Sequence, residues 1–398
     1  MKISLFGHGV TTKAIAKKFA PNCSIYDDKF KENSQDEFGN KLLTCSEYDP
    51  NTSDIDIPSP GFPPSHELIK KAQHLTSEYD FFDMSASVWI SGTNGKTTTT
   101  QMLKHLLALR GAVEGGNIGN PLANLDKNAP LWILETSSFT LHYTNRAVPD
   151  IYLLLPIRPD HISWHGSFEE YEKAKLKPLS MMREGSVAVV PGEYAKFKSD
   201  AMLIGYENSS DLSQKMGIDI SKITVKEPFL LDALLALSAT KILFDEVDIE
   251  KINDFKIDKH KLEEFCDKRG RLWVNDTKGT NVDATIEALK RYKDKRILIV
   301  LGGDDKGVDL TRFFEFMKTY NMEIFAIGSN AQKIMSFSKK IDKIAHECKT
   351  LDVAVREMDR LMDKNSVGLL SPAAASLDQF SSYIERGELF ISLVKALS

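Results

Sequence analysis

Short runs of β-branched and Leu-rich residues alternate with helical patterns from one end of this chain to the other. The apolar runs predict strands at residues 3–6, 24–26, 88–91, 132–135, 151–155, 186–190, 272–274, 297–301, 324–327 and 368–370. Helices are expected after most of them. One is expected over 97–109, directly behind a glycine loop, and another over 377–397. Strand and helix in alternation indicate an α/β chain of mostly parallel sheets with flanking helices. A polar stretch, SEYDFFDMSAS, precedes the strand at 88, and a charged run, EKINDFKIDKHKLEEFCDKRGR, precedes the strand at 272. They divide the chain into expected domains of residues 1–84, 85–256 and 257–398. No repeat of solenoid length and no low-complexity segment interrupts this order.

Composition narrows the function classes. At 398 residues the chain is too long for one ordinary domain, and 42% hydrophobic with 27% charged residues excludes disorder as the main state. Fifty-one Lys and Arg against 56 Asp and Glu leave a net charge of −5, so no global basic excess favours a nucleic acid partner. The four cysteines (Cys23, Cys45, Cys266, Cys348) have no metal spacing and read as reduced thiols. The start, MKISLFGHGVTTK, is expected to be a strand and not a signal peptide, and runs such as IYLLLPI are too short to cross a membrane. A cytoplasmic chain without membrane insertion is therefore expected.

The sharpest chemical signal is the segment Ser91-Gly92-Thr93-Asn94-Gly95-Lys96-Thr97-Thr98, in which a strand runs through a glycine loop into a helix. Backbone N–H groups of such a loop wrap phosphates, the helix N-terminus adds positive potential, and the lysine reaches the terminal phosphates. Thr97 is then placed to bind Mg²⁺. The spacing departs from the strict phosphate-loop pattern because Ile90 holds its first glycine position, and the bland alternative is a glycine turn with a surface lysine. Glu135 ends the next strand, where the ligand crevice of a parallel sheet lies; it is a candidate Mg²⁺ ligand, although an acid there is more often a helix cap. Asp160, His161 and His165 follow the strand at 151–155, with a plain surface or core role equally open for His165. The run from Glu169 to Lys177 reads on charge alone as a solvated helix face.

Three further strand ends carry polar loops: 275–281 (NDTKGTN), 302–306 (GGDDK) and 371–376 (SPAAAS). Each alone is a plain turn; together they suggest one binding edge. Near the N-terminus, Gly7-His8-Gly9 and Asp27 form half a dinucleotide fingerprint, with Thr12 at the third glycine position. Ser59, in Ser-Pro-Gly, is a candidate diphosphate donor or simply part of a turn.

In their order along the chain, SPG, GTNGKTT, GGNIGNPL, ETSSF, PDHISWHGS, YEKAKL, NDTKGTN, LGGDDK and LLSPAAASLDQF resemble the Mur ligase family, over almost the whole chain. The resemblance implies a Rossmann-like N-terminal domain for the UDP part of a substrate, a P-loop ATPase-like central domain and a Rossmann-like C-terminal domain for an amino acid. SPG, NDTKGTN and SPAAASLDQF resemble the members that add D-glutamate to UDP-N-acetylmuramoyl-L-alanine through an acyl phosphate, as monomers in peptidoglycan precursor synthesis. By residue matching it implies ATP contacts at Gly92, Thr93, Asn94, Gly95, Lys96, Thr97, Thr98, Lys261, Asp276 and Lys278. It implies two Mg²⁺ ions on Thr97, Glu135, His161 and a carbamylated Lys175, with Lys96, Glu135, His161 and Lys175 as the catalytic set. Substrate contacts are implied at Gly7, Gly9, Asp27, Ser59 and Asn117, and a D-glutamate pocket at Thr280, Lys306, Ser376, Leu377 and Tyr383.

Several positions depart from the family pattern. Pro228, Phe229 and Asp232 stand where an adenine-side His-Asn-x-x-Asn is usual, Lys261 stands for an Arg, Pro156 for an Asn, and Tyr383 for a Phe. Lysine at 261 keeps the charge but loses the bidentate fork. The open alternatives are a ligase of the same type with another amino acid, a folylpolyglutamate synthase-like enzyme, a non-catalytic ATP binder, or a dehydrogenase built on the first domain.

Overall fold

Three sheets take up the apolar runs in the computed structural model, which describes residues 1–305 and 307–397. The first holds β1 (Ile3–Phe6), β2 (Cys23–Tyr26), β3 (Ser34–Gln35), β4 (Lys41–Leu43) and β5 (Ile55–Pro58), in the order β3-β4-β2-β1-β5. The second holds β6 (Ser87–Ser91), β7 (Val113–Gly116), β8 (Trp132–Glu135), β9 (Ile151–Leu154), β10 (Val187–Pro191) and β11 (Met202–Tyr206), all parallel in the order β11-β10-β9-β6-β8-β7. The third holds β12 (Glu263–Cys266), β13 (Leu272–Asn275), β14 (Arg296–Leu301), β15 (Met322–Ile327), β16 (Ala345–Lys349) and β17 (Ser366–Leu370), in the order β12-β13-β17-β14-β15-β16. Among the strands of the described residues, the outer pairs β3–β4 and β12–β13 are antiparallel. By contact density the chain forms two compact units, Met1–Phe255 and Lys256–Ser398. Among the described residues, no helix is long and apolar enough to cross a membrane.

The second sheet shows why its strands read so clearly in the sequence. Val88 and Ile90 of β6 pack on one face with Met102, Leu103 and Leu237, whereas Trp89 packs on the other with Tyr152, Tyr171 and Leu179. A strand buried on both faces is a continuous apolar run, which is how a parallel strand differs from a half-solvated one. The strands that the apolar runs did not predict are β3, β4, β5, β7, β11, β12 and β16. β7 is Val-Glu-Gly-Gly, β5 carries a buried Asp56 and ends in Pro58, and β16 is the polar edge run Ala-His-Glu-Cys-Lys. Backbone pairing places these three strands, whose side chains do not announce them, whereas β11 (Met-Leu-Ile-Gly-Tyr) is an apolar run like the predicted ones.

Helix boundaries also differ from expectation. The helix behind the glycine loop spans Lys96–Leu106 and tightens into a 3₁₀ turn at Ala108–Arg110. The closing helix spans Tyr383–Ala396, because the Ser382 side chain accepts the Glu385 N–H and caps it there. Residues 371–382 are left as a loop beyond β17.

Residues 77–82 tie the first sheet's segment to the second sheet. Ser77 caps the short helix Glu78–Phe81, and Asp80 accepts the N–H groups of Asn145, Arg146 and Ala147. Glu78 Oε1 accepts the Leu122 N–H at 2.7 Å, and burial pushes its carboxyl up to about 7. A carboxyl raised in the folded state adds stability that is complete below its unfolded value and disappears as pH rises through about 7. Glu78→Gln keeps the acceptor and removes the charge. The melting temperature of this variant, relative to the parent, should therefore rise by a few degrees between pH 5 and pH 8. Thermal denaturation across that range checks this; a difference that does not change with pH contradicts it.

Candidate active site

The glycine loop leaves β6 at Ser91 and enters the helix at Lys96 through two residues in left-handed backbone, Gly92 (φ 135°) and Gly95 (φ 87°). At Gly95 a side chain would also drive into the Asp232 carboxylate and approach Leu155 Cδ2 at 2.8 Å. Left-handed backbone alone costs a non-glycine residue on the order of 1–2 kcal/mol. Gly95→Ala should therefore distort this loop and weaken any phosphate binding there at least about tenfold, measurable by calorimetry with a nucleoside triphosphate. Unchanged affinity contradicts this account of the loop. The first turn of the helix carries no acidic side chain, which preserves its positive potential. Lys96 Nζ donates to the carbonyl oxygens of Gly92 (3.0 Å) and Thr93 (2.8 Å).

Glu135 is buried at the C-terminal end of β8, in register with Ile90 of β6. Its Oε2 accepts the Thr97 hydroxyl at 2.8 Å and its Oε1 accepts Asn117 Nδ2 at 2.6 Å. The Tyr79 hydroxyl donates to the Glu135 carbonyl at 3.3 Å. Among the described residues no cluster of three or more His, Cys, Asp or Glu could hold a metal by itself. One carboxylate beside one hydroxyl is instead the donor set suited to Mg²⁺ that completes its shell with phosphate and water.

Lys175 lies on the helix Phe168–Met181, which Ser167 caps by accepting the Glu170 N–H. Tyr171, Ala174, Lys175 and Pro178 form its buried stripe, so this lysine points into the protein and not into solvent. Lys175 Nζ donates to the Gly92 carbonyl at 2.8 Å and to Ser91 Oγ at 3.4 Å, 4.9 Å from the Tyr171 ring centroid. Lys96 and Lys175 therefore converge on one carbonyl oxygen. Burial, and then the charge of Lys96, hold the Lys175 amine well below the usual lysine value.

His161 begins the short helix Ile162–His165 in left-handed backbone (φ 52°), an unusual state for a side chain of this size. Its Nε2 lies 3.7 Å from Asp160 Oδ2 and its ring is 6.2 Å from that of Tyr171. His165 is half-buried. It stacks on Phe139, meets Ser138 Oγ at 3.0 Å, and is pushed down to about 4 by burial, so it is neutral. Trp164 Nε1 donates to the Gly61 carbonyl at 3.2 Å and the Tyr143 hydroxyl to the Phe62 carbonyl at 2.7 Å. These bonds set the Ser59–Phe62 loop against the histidine loop and the helix Ser138–Tyr143.

At the C-terminal edge of the first sheet, a side chain on Gly7 would meet the Phe62 ring at 2.6 Å, and one on Gly9 would meet Ser59 Oγ at 3.0 Å. Thr12 stands in for a third glycine by closing the loop: it accepts the Gly9 N–H and donates to the Gly7 carbonyl at 2.6 Å. Asp27 accepts the N–H groups of His8 and Lys29 and so fixes both strand ends.

In the unit Lys256–Ser398, Asp276 is buried behind β13, where it accepts the Ser371 hydroxyl at 2.6 Å and the Leu262 N–H at 3.2 Å. Burial pushes it up to about 7. Lys278 Nζ lies 4.2 Å above the Tyr383 ring, and Lys261 Nζ is 3.1 Å from Asp258 Oδ2. The Thr280 N–H bonds the Lys278 carbonyl. Ser376 is buried and Leu377 exposed; Lys306 lies outside the described residues. Asp232, at the departing adenine-side position, is buried and accepts the Thr99 hydroxyl at 3.2 Å. Tyr79 and Tyr143 escaped the sequence reading because each sits in an ordinary helical context and bonds a distant backbone carbonyl.

Residues 90–210 match the Mur ligase middle domain family. A UDP-N-acetylmuramoylalanine--D-glutamate ligase of Campylobacter jejuni is 56% identical over 403 residues, covering 100% of each chain. One of Helicobacter pylori is 45% identical over 419 residues, covering 99% of each. Among solved structures, a MurF ligase of Thermotoga maritima in complex with ADP superposes with a TM-score of 0.58 at 17% identity, over 87% of this chain and 89% of that one. At that identity the likeness concerns the fold.

Proposed function

This chain belongs to the UDP-N-acetylmuramoylalanine--D-glutamate ligases of the Mur ligase family, and from that premise we propose how its residues perform the reaction. The protein is an ATP-dependent ligase that joins D-glutamate to UDP-N-acetylmuramoyl-L-alanine in peptidoglycan precursor synthesis. The observation that carries the assignment of roles is the convergence of Lys96 and Lys175 on the Gly92 carbonyl, in a loop whose next helical residue, Thr97, bonds Glu135.

The L-alanyl carboxylate attacks the γ-phosphorus of ATP, the bond to the β-phosphate oxygen breaks, and ADP leaves an acyl phosphate. The amine of D-glutamate then attacks the acyl carbon, phosphate departs, and the amine loses a proton. Negative charge gathers at the transferred group, so fixed cations are what the site must supply. Lys96 supplies one, and the backbone N–H groups of residues 92–98 orient the phosphates. Thr97 and Glu135 are suited to hold one Mg²⁺ ion, which neutralises phosphate charge when bound. A second ion fits His161 together with Lys175 only if Lys175 is carbamylated. An unprotonated amine is the nucleophile that carbon dioxide requires, and burial favours that form here. Carbamylation turns a group that would repel a cation into a carboxylate-like donor.

The division of labour follows residues 1–84, 85–256 and 257–398. Gly7, Gly9, Asp27 and Ser59 receive the UDP part of the substrate and Asn117 its sugar. Asp276 meets the ATP ribose through the lone pairs its two present bonds leave unused. Lys278 and Lys261 meet the phosphates. Thr280, Lys306, Ser376, Leu377 and Tyr383 receive D-glutamate. Every group named lies on one chain, which supports a monomer, and ATP and UDP-sugars are made in the cytoplasm, which supports that location. Phosphate release from ATP and UDP-N-acetylmuramoyl-L-alanine tests the acceptor. Release is expected with D-glutamate and not with L-glutamate, L-alanine, L-lysine or meso-diaminopimelate; release with another of these moves the assignment.

A further inference from the structure

Arg386 is almost fully buried near the start of the helix Tyr383–Ala396, and among the described residues its hydrogen bonds run to uncharged oxygens. Nε donates to the Thr277 hydroxyl at 2.9 Å. Nη2 donates to the carbonyls of Thr277 (3.1 Å) and Ala374 (3.2 Å), and Nη1 to that of Ala375 at 3.4 Å. Asp378 is the charged group that acts on it, yet Asp378 Oδ2 accepts the Ser329 N–H. A buried guanidinium without a carboxylate partner is costly, and burial pulls it down to about 10, which still leaves it charged at neutral pH. Its acceptors lie on just two loops. Thr277 precedes Lys278 and Thr280, and Ala374 and Ala375 precede Ser376 and Leu377. The helix backbone presses on the first loop as well: a side chain on Gly387 would meet Thr277 Cγ2 at 2.5 Å.

We propose that Arg386 is the positioning residue that selects a dianionic amino acid, tying loops 275–281 and 371–378 together and placing a buried positive charge behind them. This rests on the assignment of those loops to D-glutamate. Arg386 acts through Thr277, Ala374 and Ala375 and does not touch the amino acid. A guanidinium suits both tasks, because its planar fork reaches several acceptors at once and it keeps its charge when buried.

Arg386→Met and Arg386→Lys separate the charge from the shape. With Arg386→Met, KM for D-glutamate should rise at least about tenfold, while KM for ATP and for UDP-N-acetylmuramoyl-L-alanine stays within about twofold. Arg386→Lys, which keeps the charge and loses the fork, should fall between Met and the parent. A plain structural staple would move all three KM values together, or would treat Lys and Met alike; either result overturns the proposal, as does an unchanged KM for D-glutamate. If Arg386→Met does not fold, as circular dichroism would show, Arg386→Lys decides: a selective rise in KM for D-glutamate supports the proposal and a uniform or absent rise overturns it. Ser376→Ala runs in parallel. A raised KM for D-glutamate there with none in the Arg386 variants leaves the pocket assignment standing and removes Arg386 from it, whereas no effect at Ser376 indicts the pocket assignment itself.

Discussion

Lys175→Ala is expected to lower kcat by at least about three orders of magnitude while ATP still binds. The expectation follows from where the amine lies. Lys175 Nζ is buried against the Gly92 carbonyl and the Tyr171 ring, close enough to Lys96 to feel its charge. As an ammonium it would oppose the cations that phosphoryl transfer needs; as a carbamate it would add a negative oxygen donor there. Loss of one such electrostatic element in a water-poor site typically costs about 10²–10³ in rate, and loss of a metal with it costs more. Truncation leaves a cavity of a size that a short carboxylate enters. High bicarbonate, or formate and acetate, should therefore restore part of the activity. A Lys175→Ala variant within tenfold of the parent, or one that responds to none of these anions, contradicts the carbamate assignment.

Lys96→Ala should have an effect of similar size, at a different step. Its ammonium is held by the carbonyls of Gly92 and Thr93, within its own loop, so its removal should leave the fold intact. What disappears, on the proposed role, is the fixed charge at the γ-phosphoryl group. We expect kcat to fall about a thousandfold or more, with a smaller rise in melting temperature on adding ATP than the parent shows. Phosphate release and thermal shift measure the two effects. Activity within tenfold of the parent would show that this lysine is not the phosphoryl-transfer cation.

The contrast between Lys96 and Lys175 shows what could be read in advance. Strand, glycines, Lys96 and Thr97 stand in one contiguous run, and the physics that places them is local: a left-handed turn between a buried strand and a helix start. Glu135 was legible for the same reason, because a strand end fixes where its side chain goes. Lys175 was harder. On charge the run from Glu169 to Lys177 looks like a solvated face, but Tyr171, Ala174, Lys175 and Pro178 recur at helical spacing and make one stripe. That stripe is buried because the helix packs on the face of the second sheet that holds Trp89 and Tyr152, a long-range fact. Asp276 follows a strand end, as expected, yet its bonds to Ser371 and to the Leu262 N–H depend on residues far away in sequence. Arg386 gave no signal at all, since an arginine in the first turns of a terminal helix is ordinarily a surface residue.

Oxygen transfer tests the central claim most directly. UDP-N-acetylmuramoyl-L-alanine carrying ¹⁸O in both oxygens of its alanyl carboxylate is incubated with ATP, D-glutamate and the enzyme, and the released phosphate is examined by mass spectrometry. If the carboxylate attacks the γ-phosphorus and the amine displaces phosphate from the acyl carbon, each phosphate carries one ¹⁸O and the amide keeps the other. Phosphate without label, released in step with product, would mean that no acyl phosphate forms, and the phosphoryl-transfer roles of Lys96, Glu135 and Lys175 would fail with it.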